Sequence, residues 1–125
     1  MNDYQTIDTP VNKAFVAAYK AKFGQNKVTS DPMEAAYTSV YLWKNTVEKA
    51  KSFGVTEVQN AAGGVSYEAP EGLVTIDGSN NHVTKTARIG EIRNDGLIYT
   101  VWDSGKPIVP DPYLKGYDWA KGLSG

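Results

Sequence analysis

In the first half of the chain apolar positions recur every three or four residues, and from Val65 onward they recur every two. The first helical stretch follows Thr9-Pro10, where proline fits the opening turn because it has no N–H to lose. Val11, Ala14, Phe15, Ala18 and Tyr19 then share one face, Lys13, Lys20 and Lys22 mostly take the other, and Gly24 is a stop. The predicted span is Pro10 to about Phe23. The best-specified start is Ser30-Asp31-Pro32-Met33-Glu34-Ala35-Ala36-Tyr37. Here Asp31 is predicted to cap, Pro32 to be the first helical residue, and Glu34 to close a capping box. Behind it Met33, Ala36, Tyr37, Val40, Val47 and Ala50 form a stripe that Leu42 and Trp43 widen, with Lys44, Glu48, Lys49 and Lys51 opposite. With Gly54 as the stop, this helix runs over 32–53 and is a rod of roughly 33 Å, which needs a broad apolar surface beneath it. Thr56-Glu57-Val58-Gln59 is a further capping box and predicts a third, short helix near 57–62, ended by Gly63-Gly64.

The second half reads as strands: Val65-Ser66-Tyr67, Leu73 to Ile76, Val83 to Ile92 and Leu97 to Trp102, rich in β-branched and aromatic residues. Asn94-Asp95-Gly96 predicts a tight hairpin between 87–93 and 97–102, and Asp77-Gly78-Ser79-Asn80-Asn81 a longer polar turn. Pro107, Pro110 and Pro112 favour extended, edge-like backbone, and the tail from Asp111 to Gly125, with Tyr113, Tyr117 and Trp119, is expected to lie over a surface. Helices first and few strands afterwards is an awkward inventory, because a long helix flanked by two shorter ones needs a sheet that the residues before Val65 do not supply. The expectation is a piece of a larger α/β protein whose central strands lie upstream. Met1 followed at once by Asn2-Asp3-Tyr4-Gln5 reads as a cut chain end. By itself such a piece is expected to associate with a copy of itself, as a dimer or by exchanging a strand or helix, or else to expose apolar helix faces.

Composition narrows the chemistry. At 125 residues, 41% hydrophobic and 22% charged, the chain has the balance of a soluble globular protein with one ordinary core. Thirteen basic and fourteen acidic residues without a basic run carry no nucleic-acid footprint. Apolar runs are too short to span a bilayer, and the absence of cysteine excludes disulfides, thiolate metal sites and a cysteine nucleophile. His82 is the single histidine, so neither a Ser–His–Asp triad nor a multi-histidine metal site can be built from this chain, and it reads as a polar loop residue. A calcium loop starting at Asp77 fails because its twelfth position is Arg88 and its loop glycine is missing. The glycines match neither phosphate-cradling pattern. Glu68 and Glu71 flank Ala69-Pro70 and could form an acid–base pair, but in a Pro/Gly loop they read as solvated. Tyr37, Tyr41 and Trp43 read as core. No enzyme and no cofactor follow from these residues.

Several separated segments together carry a resemblance: Thr6 to Val16, Val28 to Tyr37, Ala69-Pro70-Glu71-Gly72, Asn80-Asn81-His82, Arg88 to Ile92, Asn94-Asp95-Gly96, Val101-Trp102 and Pro107 to Tyr113. In this order they resemble the C-terminal part of type I periplasmic binding proteins, in the branch of urea and short-chain-amide receptors of ABC importers and the related cytoplasmic amide sensor of amidase operons. The resemblance implies an α/β fold of two lobes hinged around a ligand, of which this chain is a C-terminal fragment with helices first and hairpin strands after. Residues 1–76 would be the helical part of lobe 1, and 77–125 would hold the hinge crossing, the lobe 2 hairpin and the tail. It implies a solute-binding component that captures urea or a short-chain amide and delivers it to an ABC permease in the periplasm or outside the cell. A cytoplasmic amide-sensing regulator of the same fold and a branched-chain amino-acid receptor are the alternatives. Most ligand contacts would come from upstream segments. The contribution of this chain would be Ser30, Asp31 and Met33 at the cleft mouth, where helix N–H groups could meet a carbonyl oxygen and Asp31 an amide NH₂.

Overall fold

A computed structural model describes residues 2–121. Helix α1 (Pro10–Phe23) starts on the Thr9 hydroxyl, which accepts from the Asn12 N–H at 3.0 Å, and stops at Gly24. Helix α2 (Asp31–Ala50) differs from its expected capping. Ser30 is the N-cap residue, without a side-chain bond, and Asp31 is already helical. The Asp31 carboxylate turns back to the N-terminal segment and Glu34 turns inward to Thr38, so the expected capping box does not form. The helix also ends three residues before Phe53. Lys51 adopts the left-handed conformation (φ 52°) expected of Gly54, and Gly54 instead precedes α3 (Val55–Ala62), which begins two residues ahead of its expected start. The Ser52 hydroxyl accepts from the Gly54 N–H at 3.0 Å, a local bond that competes with continuing the helix.

Strands β1 (Ser66–Ala69), β2 (Gly72–Ile76) and β3 (Val83–Thr84) form an antiparallel sheet in that order. Ala69 lies opposite Gly72, leaving Pro70 and Glu71 as the turn, and Gly72 at φ 112° takes a conformation that L side chains rarely adopt. Strands β4 (Arg88–Ile92) and β5 (Ile98–Asp103) pair separately as an antiparallel ribbon. Its loop, Asn94-Asp95-Gly96, closes through the Arg93 N–H on the Leu97 carbonyl at 2.9 Å, with Gly96 left-handed at φ 77°. The exposed tail carries Tyr113, Tyr117 and Trp119 outward rather than laid over a surface, while Ala120 is buried; residues 122–125 of the expected tail lie outside the described part.

The small core is Leu42, Val65, Ala69 and Val74, with Tyr67, Ile76 and Val83 packed against it. The face of α2 that is buried is Glu34, Thr38, Leu42 and Thr46, spaced four apart and largely polar. Met33, Val40 and Trp43, assigned to the apolar stripe, are exposed, Val40 at 62% and Trp43 at 54%. The two polar threonines are satisfied within the helix, Thr38 on Glu34 and Thr46 on the Leu42 carbonyl, which lets this face go inward. Phe15, Tyr37, Tyr41 and Tyr67 form an aromatic series with successive centroids 4.8 Å apart, joining α1, α2 and β1.

Residues 2–7 form a strap. Tyr4 makes an antiparallel bridge with Ser30 and shares a hydrogen bond with the Thr100 hydroxyl at 2.7 Å, and the Thr6 hydroxyl donates to the Ile98 carbonyl. Asn12, fully buried on α1, donates its amide to the carbonyls of Tyr4, Gln5 and Ile7 at 2.9–3.3 Å, fixing the strap's curve. A side chain at Gly90 would run into Ile98 and the Tyr4 ring, so the ribbon lies close against the strap.

Candidate functional site

The residues singled out at the start of α2 lie where the strap crosses it. The Ser30 carbonyl accepts from the Met33 and Glu34 N–H groups, a use of the backbone by the helix itself. Asp31 Oδ1 accepts from the Asn2 and Asp3 N–H groups at 3.0 and 2.9 Å, tying the strap to the helix start. Met33 is 42% exposed and faces away from the core. The structure therefore brings Ser30 and Asp31 against the strap, while Met33 stands free of it.

Behind them is a group of charges drawn from five segments. Asp3 of the strap, Glu34 of α2 and Glu71 of the β1–β2 turn are all buried, at 0%, 1% and 3% exposure. Glu71 contradicts the expectation of a solvated loop carboxylate, whereas Glu68 stays exposed. Alternation along β1 turns Glu68 outward and Ala69 inward, and the Pro70-Glu71 turn that follows is itself buried, which takes Glu71 out of water. Lys85 meets Glu71 at 3.6 Å, and Arg88 at the start of β4 donates to the Asn2 carbonyl at 2.8 Å. With its oxygen toward Lys85, the Asn2 amide accepts from Nζ at 2.8 Å and donates to the Thr86 carbonyl at 3.2 Å.

Burial raises the affinity of these carboxyls for a proton. Asp3 is pushed up to about 7 by burial and then by the charges of Glu34 and Glu71, against which the Tyr4 N–H and, less, Arg88 act. Glu71 is likewise pushed up to about 7 by burial, with Lys85 opposing and Glu34 and Asp31 adding to the rise. Glu34 is raised by burial, and the Thr38 hydroxyl and Glu71 N–H oppose the rise. Neither Asp3 oxygen, nor Glu71 Oε2, has a well-formed hydrogen bond. None of Asp3, Lys85 and Arg88 was legible as part of this group, since they lie in segments without a shared motif. Glu34 gave a signal that was misassigned to a cap.

Other candidates are quickly placed. His82 is exposed, its Nδ1 at 3.0 Å from the Asn80 carbonyl. Among the described residues no set of three or more His, Asp and Glu side chains is arranged to hold a metal ion, and no helix is long and apolar enough to cross a membrane. An acidic group short of a metal geometry, reached by two cations and crossed by a strap, can anchor segments, exchange protons and present N–H and carboxylate groups to a neutral polar molecule.

Comparison with known proteins shows the family of the chain. Residues 1–118 match the model of a periplasmic binding protein domain. A solute-binding protein of an ABC transporter from Rhodopseudomonas palustris HaA2, solved with p-hydroxybenzoic acid, is 24% identical with a TM-score of 0.73, over 93% of this chain and 32% of that one. An ABC-type branched-chain amino acid transporter protein from Rhodopseudomonas palustris CGA009 is 16% identical with a TM-score of 0.67, over 81% of this chain and 28% of that one. A Geobacillus stearothermophilus protein named limonene hydroxylase is 30% identical over 111 residues, 89% of this chain and 20% of its own length. The chain thus spans about a third of its solved neighbours, which show its fold, and a fifth of the curated relative. With the match running from residue 1 to residue 118, the chain belongs to the periplasmic binding protein domain family.

Proposed function

We propose that this chain is the C-terminal part of the solute-binding component of an ABC importer, working in the periplasm or outside the cell, that captures urea or a short-chain amide between two lobes and performs no chemistry on it. In this reading residues 1–76 complete lobe 1 and residues 77–125 cross the hinge and supply a hairpin to lobe 2. The exposed Val40, Trp43, Phe53 and Val55 are then surfaces that the upstream part of the protein covers, and the chain kept apart from that part associates with a copy of itself.

The observation that carries the choice of ligand is the charge at the start of α2. Asp31 Oδ1 is held by the Asn2 and Asp3 N–H groups, so a carboxylate ligand drawn to the cleft mouth meets like charge at the Asp31 carboxylate, whereas the NH₂ of a neutral amide can donate to it. The aromatic-acid neighbours favour a second reading, a receptor for hydroxybenzoates, and the branched-chain amino acid transporter protein a third. Both of those ligand classes carry a carboxylate. The first reading assigns Ser30, Asp31 and Met33 to the rim of the cleft, with the carboxylate of Asp31 accepting from the ligand NH₂ through its second oxygen.

In the full-length protein, Asp31→Ala is expected to weaken urea and acetamide binding at least about tenfold, a loss of roughly 1.4 kcal/mol, as read by calorimetric titration. The same variant loses the two strap bonds, so its thermal midpoint falls too. Unchanged affinity with a lower midpoint would reduce Asp31 to an anchor of the strap and remove it from the binding site.

A further inference from the structure

The strap of residues 2–7 bonds to both parts of the molecule: to α2 through Asp31, to β4 through Arg88, and to β5 through Thr100 and Ile98. At its centre Asp3 is fully buried with no hydrogen-bond partner for either carboxylate oxygen. Facing it are Glu34 from α2, Glu71 from the β1–β2 turn and Arg88 from β4, with Lys85 next to Glu71 and Asp31 of α2 accepting from the Asp3 backbone N–H. A buried carboxylate without a well-formed hydrogen bond has lost its water with little in return, here only the nearby Tyr4 N–H and Arg88, and two more carboxylates alongside make its charge still less welcome. The neutral acid at the same place suffers neither penalty. Glu71 repeats the pattern, with Oε2 buried and unpartnered.

We propose that the strap is a proton-operated latch: with Asp3 and Glu71 neutral it lies closed across α2 and the β4–β5 ribbon, and with both ionised it lifts and uncouples the two. This is independent of which solute is captured. The affinities of about 7 for both carboxyls put the transition near neutrality. The sign follows from their being raised above the ordinary values of 3.8 and 4.5. The closed form binds more protons than the open form between those values and about 7, so closure is strongest in acid, weakens as pH rises through that window, and levels off above it. Because residues 2–7 tie α2 to the ribbon, the same proton uptake stiffens one part against the other.

The test is hydrogen exchange on the ligand-free full-length protein, with protection factors corrected for the intrinsic pH dependence of exchange. Protection of the amides of Asp3 and Ile7 is expected to fall by up to about a hundredfold between pH 5 and 7, while amides inside α2 keep theirs. Asp3→Asn is expected to flatten the dependence and hold the strap closed at pH 8, and Glu71→Gln to flatten it in part. If Asp3→Asn does not fold, Glu71→Gln decides alone. Protection that stays level or rises with pH in the unmodified protein, a slope that survives in Asp3→Asn, or one undiminished in Glu71→Gln overturns the latch.

Discussion

Asn12→Leu is expected to cost the fold about 2 kcal/mol, its two amide protons, one of them shared between two carbonyls, making neutral hydrogen bonds at roughly 1 kcal/mol per proton. The side chain is fully buried, and its Nδ2 reaches the carbonyls of Tyr4, Gln5 and Ile7 at 3.3, 3.3 and 2.9 Å. Leucine fills a similar volume but donates nothing, so these acceptors must turn to water and take the strap with them. One effect works the other way. Asn12 Oδ1 is itself buried without a partner, and losing it recovers part of the loss, which holds the estimate near 2 rather than higher. Guanidinium unfolding measures this, urea being unsuitable as a denaturant for a protein proposed to bind it. The expected signature is a lower midpoint with early loss of the contact between Tyr4 and Thr100. A change below about 1 kcal/mol would mean that the strap's curve is fixed by its backbone and not by Asn12.

Leu42→Ala is expected to lose about 2–3 kcal/mol, the lower part of the range for a buried leucine. Leu42 is the largest aliphatic side chain of the core, against Val65, Ala69 and Val74. It also borders two open cavities of about 690 and 170 Å³, so its neighbours already have room to relax and water has a route to the vacated space. Val40→Ala, two residues away on the exposed side of α2, is the contrast: within about 0.5 kcal/mol in this chain by itself, because Val40 is 62% exposed. In the full-length protein the proposed covering of that face makes the same Val40 change costly. A cost for Val40→Ala equal in both settings would argue against an upstream layer over α2.

The three helices were legible because their signals are local: Thr9-Pro10 with Gly24 defines α1 to the residue, and the strand half announces itself by its alternation. Helix ends were less so. Lys51 takes a left-handed conformation that a following glycine would have served better, since Ser52 and Gly54 close a local bond first. The facing of α2 was misread for a more instructive reason. Apolar periodicity picks out Val40 and Trp43, which stand exposed here, while Glu34 and Thr38 pack inward on the hairpin turn because their polar groups are satisfied there. The carboxylate group was the least legible part. Its members are separated by 31 residues between Asp3 and Glu34 and by 37 between Glu34 and Glu71; the packing of α2 on the β1–β2 turn joins the two glutamates, and the strap crossing α2 adds Asp3.

Capture of a neutral amide is the claim on which the functional account rests, and calorimetric titration of the full-length protein with urea, acetamide, 4-hydroxybenzoate and leucine tests it directly. Saturable heat is expected with urea or acetamide and none with the two carboxylate ligands, with the amide recovered intact. Saturable binding of 4-hydroxybenzoate or leucine without any response to the amides, or release of ammonia from either amide, would contradict the claim.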